Sequence, residues 1–297
     1  MPGSIGLFIR SRDNDFQRRL EEDAQREAKH QDFELLVESA QFDASRQVVQ
    51  IRDAIKNASA SKLSALLVSG VQDEELRPVA QEAAEAGLDW AMLNEAAFID
   101  DIRRQYPKRA VFAVTCDQVE LGHVHAQQVR ALLGDAGRVL CVTGYLRNAS
   151  AVQRLAGLKQ GLDGKFDLIE LNGDWTSEGA RMAVARWASE ITSKEDLPGM
   201  FVAHNDEMAL GVRQAARDLD SQRNLPLART PITGCDGSQT FGQRLVRERR
   251  LQATVITPPG SGVAIEWIAR VRGKGEMPPV RVLLPATSFP ALASLRK

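Results

Sequence analysis

Short apolar runs alternate along this chain with longer stretches whose apolar positions recur every three to four residues. The runs fall at 5–9, 33–39, 65–70, 90–94 and 110–115 in the first half, and at 138–144, 166–171, 200–205, 232–237, 253–258 and 280–285 in the second. Runs of this length, bounded by turn residues, predict buried strands. Between the early runs, Phe16, Leu20, Ala24 and Ala28, then Val48, Ile51 and Ile55, then Leu76, Val79 and Ala83 sit at helical spacing. Strands alternating with helices build parallel sheets covered on both faces, so the predicted class is α/β. The two halves carry about five strands each, more than one compact core usually holds, and two similar lobes are therefore expected.

The boundary falls near Thr115 and Cys116, because Asp117 is placed to cap the helix that opens a new strand–helix series. Pro258-Pro259-Gly260 and the stretch 273–279 are strong late breaks that let the chain cross back. The predicted lobes are 1–115 with about 258–279, and 116–257 with about 280–297.

One stretch, 200–219, reads as buried strand, sharp turn and helix with its polar residues gathered on the turn. In open α/β sheets that turn, at the carboxyl end of a strand, is where ligands bind. Asp206 and Glu207 suit a helix cap and its dipole, whereas the Asn205 amide offers a donor and an acceptor to a hydroxylated ligand.

Charge narrows the function. Lys and Arg number 38 against 39 Asp and Glu, a net charge of -1, which leaves no global basic surface for nucleic acid or anionic lipid. No apolar run is long enough to cross a bilayer, and residues 1–4 lead straight into the first strand. The sequence thus shows neither signal peptide nor anchor, which fits a cytoplasmic protein, or a periplasmic one whose export signal has been trimmed. Cys116, Cys141 and Cys235 form no CxxC motif and read as small buried residues.

Catalytic signatures are missing: there is no GxxxxGK[ST], HExxH or GxSxG. His123 and His125, two apart on a helix, point in different directions and read as surface histidines, not as metal ligands. His204, beside Asn205, either lines the site or packs in the core. The carboxylates Asp13, Asp15, Glu95, Asp174 and Asp236 leave a hydrolase open, since their separation decides whether two act together. As binding groups the strand-end residues make better sense. Asn14 and Phe16 follow the first strand, Asn94 and Glu95 the fourth, Arg154 opens the helix after Gly144, Trp175 follows 166–171, and Asn205, Asp236 and Thr257 end later strands. Aromatic faces with amide, carboxylate and guanidinium groups around them suit a sugar or polyol held between the lobes.

The segment Ala203–Gly211, AHNDEMALG, together with GCDG at 234–237, Asn14-Asp15-Phe16, Arg154-Leu155-Ala156-Gly157 and Ala253-Thr254-Val255, resembles the ribose-type periplasmic sugar-binding proteins. That family shares its fold with the ligand-binding core of lac-type repressors, and the likeness spans nearly the whole chain. It implies two Rossmann-like lobes, hinge closure on a monosaccharide or polyol, delivery to a membrane ABC permease or a sensor, a monomer, and no cofactor, metal or enzymatic step. By the same likeness Asn14, Phe16, Arg154, Trp175, Asn205 and Asp236 are implied ligand contacts. The chain departs from the pattern at Asn94-Glu95, where Asp-Arg is common, at Gln17, where a second aromatic is common, and at Thr257, where ribose binders carry glutamine. Arg10 and Arg12 flank the first loop and restore positive charge there. A regulator core is the competing expectation, although 1–4 leave no room for a DNA-binding headpiece before the first strand.

Overall fold

A computed structural model describes residues 3–94 and 96–295. In chain order its elements are β1 (Ser4–Ile9), α1 (Asp15–His30), β2 (Glu34–Ser39), α2 (Ala44–Lys56), β3 (Leu63–Val68), α3 (Asp73–Glu85), β4 (Asp89–Met92), α4 (Ile99–Gln105) and β5 (Val111–Cys116). They continue with α5 (Gln118–Leu133), β6 (Gly137–Thr143), α6 (Ala149–Leu162), β7 (Phe166–Asn172), α7 (Ser177–Ser189), β8 (Met200–Ala203), α8 (Asp206–Arg223), β9 (Ile232–Asp236) and α9 (Gly242–Arg247). The chain ends with β10 (Ala253–Ile256), α10 (Ser261–Lys274), β11 (Arg281–Leu284) and β12 (Thr287–Phe289).

These elements form two compact units, Met1–Cys116 with Pro259–Leu284, and Asp117–Pro258 with Pro285–Lys297. The chain therefore changes unit at three places. The expected placement of 280–297 with the second lobe does not hold for its first residues. Arg281–Leu284 pairs in parallel with β5 of the first unit, where Val282 and Leu284 pack against that unit's core. An edge strand goes where its apolar side chains are covered, and no feature of the sequence near 280 names the covering face.

In the first unit the sheet order is β11-β5-β4-β3-β1-β2, parallel throughout. Alternation along each strand divides the core in two. Phe8, Leu66, Val68, Trp90 and Met92 face α2, α3 and α4, while Ile5, Leu7, Ile9, Leu67 and Phe112 face α1 and α10. Asp23 of α1 fastens the second pair, accepting hydrogen bonds from the Gly262 N–H at 2.7 Å and the Ser261 hydroxyl at 3.2 Å.

The second unit repeats the plan with the order β12-β10-β9-β8-β6-β7. Leu140, Val142, Phe201 and Ala203 face α7, α8 and α9, and Val139, Cys141, Met200 and Val202 face α5 and α6. Here the edge strand β12 runs antiparallel to β10. The close crossing of α5 and α6 depends on Gly122 and Gly157, at which a Cβ would run into the backbone of the opposite helix. All three cysteines are buried, and burial pushes the Cys141 thiol up to about 12.

Candidate functional site

Both strand orders reverse direction after the first strand of the unit: β2 lies on one side of β1 and β3 on the other, and β7 and β8 flank β6 in the same way. Connections leave such a pair toward opposite faces, which opens a crevice at the carboxyl ends. The residues expected to bind ligand follow those strand ends, so each unit presents one polar edge.

In the first unit that edge is organised around Ser69, Gly70 and Val71, which follow β3. Gln17 Nε2 donates to the Ser69 hydroxyl at 3.0 Å, and Gln47 Nε2 donates to the Ser69 carbonyl at 2.9 Å while its own oxygen accepts from Val71 N–H at 2.9 Å. Asn94 Oδ1 accepts from Gly70 N–H at 3.0 Å, and Arg10 Nε donates to the Gly70 carbonyl at 2.5 Å. Asn94 also donates to Asp73 at 2.9 Å and is buried. It therefore serves first as a brace between β4, the Ser69–Val71 loop and α3. Asn14 is the N-cap of α1, its Oδ1 accepting from Gln17 N–H at 3.1 Å. Phe16 is half-buried against the core, with the Arg19 guanidinium 5.7 Å from its ring centre. Glu95 lies outside the described residues. Gln47, which no motif marks, holds two backbone groups of the loop; its one sequence signal is a polar residue on the buried side of α2.

The second unit's edge is built in layers. Trp175 follows β7 with φ 66°, after Asp174 at 54°, in the left-handed region. Its ring lies over Gly144, where any Cβ would occupy the ring's place. The guanidinium carbon of Arg154 sits 5.4 Å from the Trp175 ring centre, a cation–π pairing. Arg154 is itself buried: Nε and Nη2 donate to Gln118 Oε1 at 3.2 and 2.8 Å, and Nη1 donates to the His204 carbonyl. It thus supports the aromatic platform from within α6. Asn205, not Asp206 or Glu207, is the N-cap of α8; its Oδ1 accepts from Met208 N–H at 2.7 Å and its Nδ2 donates to the Trp175 carbonyl at 3.0 Å. At the end of β9, Asp236 adopts φ 94°, and its carbonyl accepts from Thr257 N–H at 3.2 Å.

Beneath this edge lie two buried histidines. His125, expected at the surface, is fully buried on the inner side of α5, because Leu121, Val129 and its own position share the face that α5 turns to the core. Its ring is stacked with that of His204, centroids 6.4 Å apart, and the Trp175 ring is 6.0 Å from His204 on a tilted plane. His204 Nδ1 accepts from Gly144 N–H at 3.2 Å, which fixes the proton on Nε2, where no hydrogen-bond partner meets it. Burial is the main force holding both imidazoles neutral. It pushes His125 down to about 3, helped by the Arg154 cation and opposed by the Gln128 carboxamide, and lowers His204 well below the usual range, with Arg154 and His125 adding to the effect. His123, by contrast, sits at the helix surface beside Glu120 at 3.3 Å and Gln160 at 3.2 Å. Among the described residues, no group of three or more His, Cys, Asp or Glu is placed to hold a metal ion.

Residues 5–274 match the family described as periplasmic binding protein domain. The ribose import binding protein RbsB of Haemophilus influenzae is 25% identical over 257 residues, covering 86% of this chain and 80% of the relative. The arabinose-transporter binding protein of Shewanella sp. ANA-3, solved with L-arabinofuranose, superposes with a TM-score of 0.83 at 18% identity, covering 98% of this chain and 93% of the other. A solute-binding protein of Bacillus halodurans, solved with myo-inositol, gives 0.81 at 19% identity and covers 99% and 96%. The structural likenesses carry the fold: two parallel-sheet α/β lobes of the type I kind.

Proposed function

The chain belongs to the periplasmic binding protein domain family, and from that premise we propose that it is the solute-binding component of an import system for a monosaccharide or polyol. The observation that carries the reading is the layered edge of the second unit. There an aromatic face, Trp175, lies beside an amide, Asn205, which is bonded to its backbone, and the Asp236 carboxylate ends a neighbouring strand of the same sheet. An aromatic face takes the C–H side of a sugar ring, and an amide and a carboxylate take its hydroxyls. The first unit's own carboxyl edge carries Asn14, Phe16, Arg10, Asn94 and, by its place in the sequence, Glu95 as further candidate contacts, and in the second unit Thr257 stands beside Asp236. The protein works as a monomer in the periplasm, hands its solute to a membrane permease, and needs no covalent step.

The test is thermal unfolding of the purified protein against pentoses, hexoses, sugar acids, amino sugars and polyols. A solute that binds the folded chain, present at 100 times its Kd, adds about 2.7 kcal/mol of stability. Asn205→Ala and Asp236→Ala are expected to cut that shift to about half or less while the unliganded protein still melts cooperatively. Shifts of wild-type size in both variants would refute the site.

A further inference from the structure

The turn after β9 holds two consecutive residues in the left-handed region, Asp236 at φ 94° and Gly237 at φ 56°. Glycine accepts that conformation freely; aspartate enters it more readily than most residues, but the Asp236 φ of 94° lies beyond the usual range of about 50–70°. Several contacts enforce it. Gly237 N–H donates to Asp206 Oδ2 at 2.8 Å, the Gly237 carbonyl accepts from Gln243 Nε2 at 3.0 Å, and Thr257 N–H holds the Asp236 carbonyl. Asp206 reaches furthest, since its other oxygen accepts from the Thr254 hydroxyl of β10 at 2.7 Å. One carboxylate thus joins the start of α8, the turn after β9 and the neighbouring strand β10.

The surroundings are shaped to it. A Cβ at Gly234 or at Gly242 would collide with the Asp206 carboxylate, so both positions leave their space to it. Asp206 is the first residue of α8, where the helix dipole favours a negative charge, and it is 1% exposed. Its two oxygens are turned to Gly237 and Thr254. We infer that Asp206 is a positioning residue: by holding Gly237 it keeps the preceding Asp236 in its left-handed conformation and thereby aims the Asp236 carboxylate at the solute. The inference rests on the reading of Asp236 as a solute contact.

The contacts through which Asp206 holds the turn and β10 are hydrogen bonds. Asparagine at 206 accepts from Gly237 N–H through its oxygen and donates to the Thr254 hydroxyl through its nitrogen, whereas alanine does neither. The experiment titrates the full chain with D-ribose and with myo-inositol by calorimetry. It compares wild type, Asp206→Ala, Asp206→Asn, Thr254→Val, Asp236→Ala and the Asp206→Ala/Asp236→Ala double variant. Hydrogen exchange of the Gly237 amide is followed in the same proteins without solute.

Asp206→Ala and Asp236→Ala are each expected to weaken binding by about 10- to 100-fold, the range a lost or misdirected buried polar contact spans. Asp206→Asn is expected to stay within about threefold of wild type, and the double variant to bind no more weakly than Asp236→Ala, because coupled residues do not add. Gly237 exchanges slowly in wild type and Asp206→Asn and quickly in Asp206→Ala, while the β8 and β9 amides stay protected. Wild-type affinity in Asp206→Ala would overturn the inference. So would losses that multiply fully in the double variant, or a Gly237 amide unaffected by alanine. If Asp206→Ala does not fold, Thr254→Val loosens one anchor of the carboxylate and takes its place, with a smaller loss that disappears once Asp236 is alanine. Full affinity in Asp236→Ala, or silence of both probes toward wild type, refutes the solute reading instead, and the Gly237 exchange then decides the positioning role.

Discussion

Acid is expected to weaken the second unit through its two buried histidines, and the size of the effect follows from their surroundings. Unfolded, each imidazole takes up a proton near pH 6.5; folded, burial and the Arg154 cation hold His125 down to about 3 and lower His204 well below its usual range. Between those limits the unfolded chain binds protons that the folded chain refuses. Stability is therefore complete above about pH 6.5 and is lost as the pH falls toward the folded values. Each group contributes a slope of about 1.4 kcal/mol per pH unit, so the pair removes up to about 4 kcal/mol between pH 7 and pH 5. That is a large share of a typical total of about 5–15 kcal/mol. Lowered carboxylates such as Glu27 and Asp100, which pair with neighbouring side chains, lose their contribution only at more acid pH, and the interval chosen keeps them ionised. Urea unfolding at 25 °C, repeated at half-unit steps from pH 7.5 to 5, measures the slope. His125→Gln removes one titrating group and should roughly halve it, leaving about 1.4 kcal/mol per unit. Parallel curves for wild type and His125→Gln would refute the reasoning, because the slope would then come from groups elsewhere.

Two substitutions probe the edges themselves. Gly144→Ala places a Cβ where the Trp175 ring lies, so the ring must leave its platform; a red-shifted tryptophan emission and a stability loss of about 1–3 kcal/mol are expected, and an unchanged spectrum would refute the layered arrangement. Gln47→Ala removes partners from the Ser69 carbonyl and the Val71 N–H, with an expected cost of about 1–3 kcal/mol and faster hydrogen exchange at Val71, which protection at the wild-type level would contradict.

Much of the fold was legible because the buried parallel strands are nearly continuous apolar runs. Leu66 to Val68 and Val111 to Val114 carry no polar position, and their faces are told apart only by the helices that cover them. What escaped was short or ambiguous. Helix α4, IDDIRRQ, offers two apolar residues and less than two full turns of pattern, and β12 is three residues whose pairing with β10 rests on backbone alone. At the site, the strand-end rule located Asn14, Trp175, Asn205 and Asp236 on the carboxyl edges of their sheets. It did not reveal what holds them. Asn94 braces Gly70 and Asp73 from 24 and 21 positions away, and Arg154 spans 36 positions to Gln118 and 50 to the His204 carbonyl. Pairings of that span follow from sheet register, which a linear pattern leaves open. His125 was misread for a related reason: α5 is apolar on much of its circumference, so two-residue spacing says little about which histidine turns inward.

The fastening of the Ser69–Val71 loop also bears on how quickly a solute is taken up. Side chains from helix α2 and from the ends of β1 and β4 already engage the loop's backbone amides and carbonyls, so little freedom is left in it to surrender at encounter. Ordering a loose, rotamer-rich side chain on association costs about 0.5–1.5 kcal/mol, and here that cost was met during folding. On the proposed reading, capture at this edge would be limited by diffusion and by the approach of the solute, and differences in affinity among solutes would arise in how long each one stays.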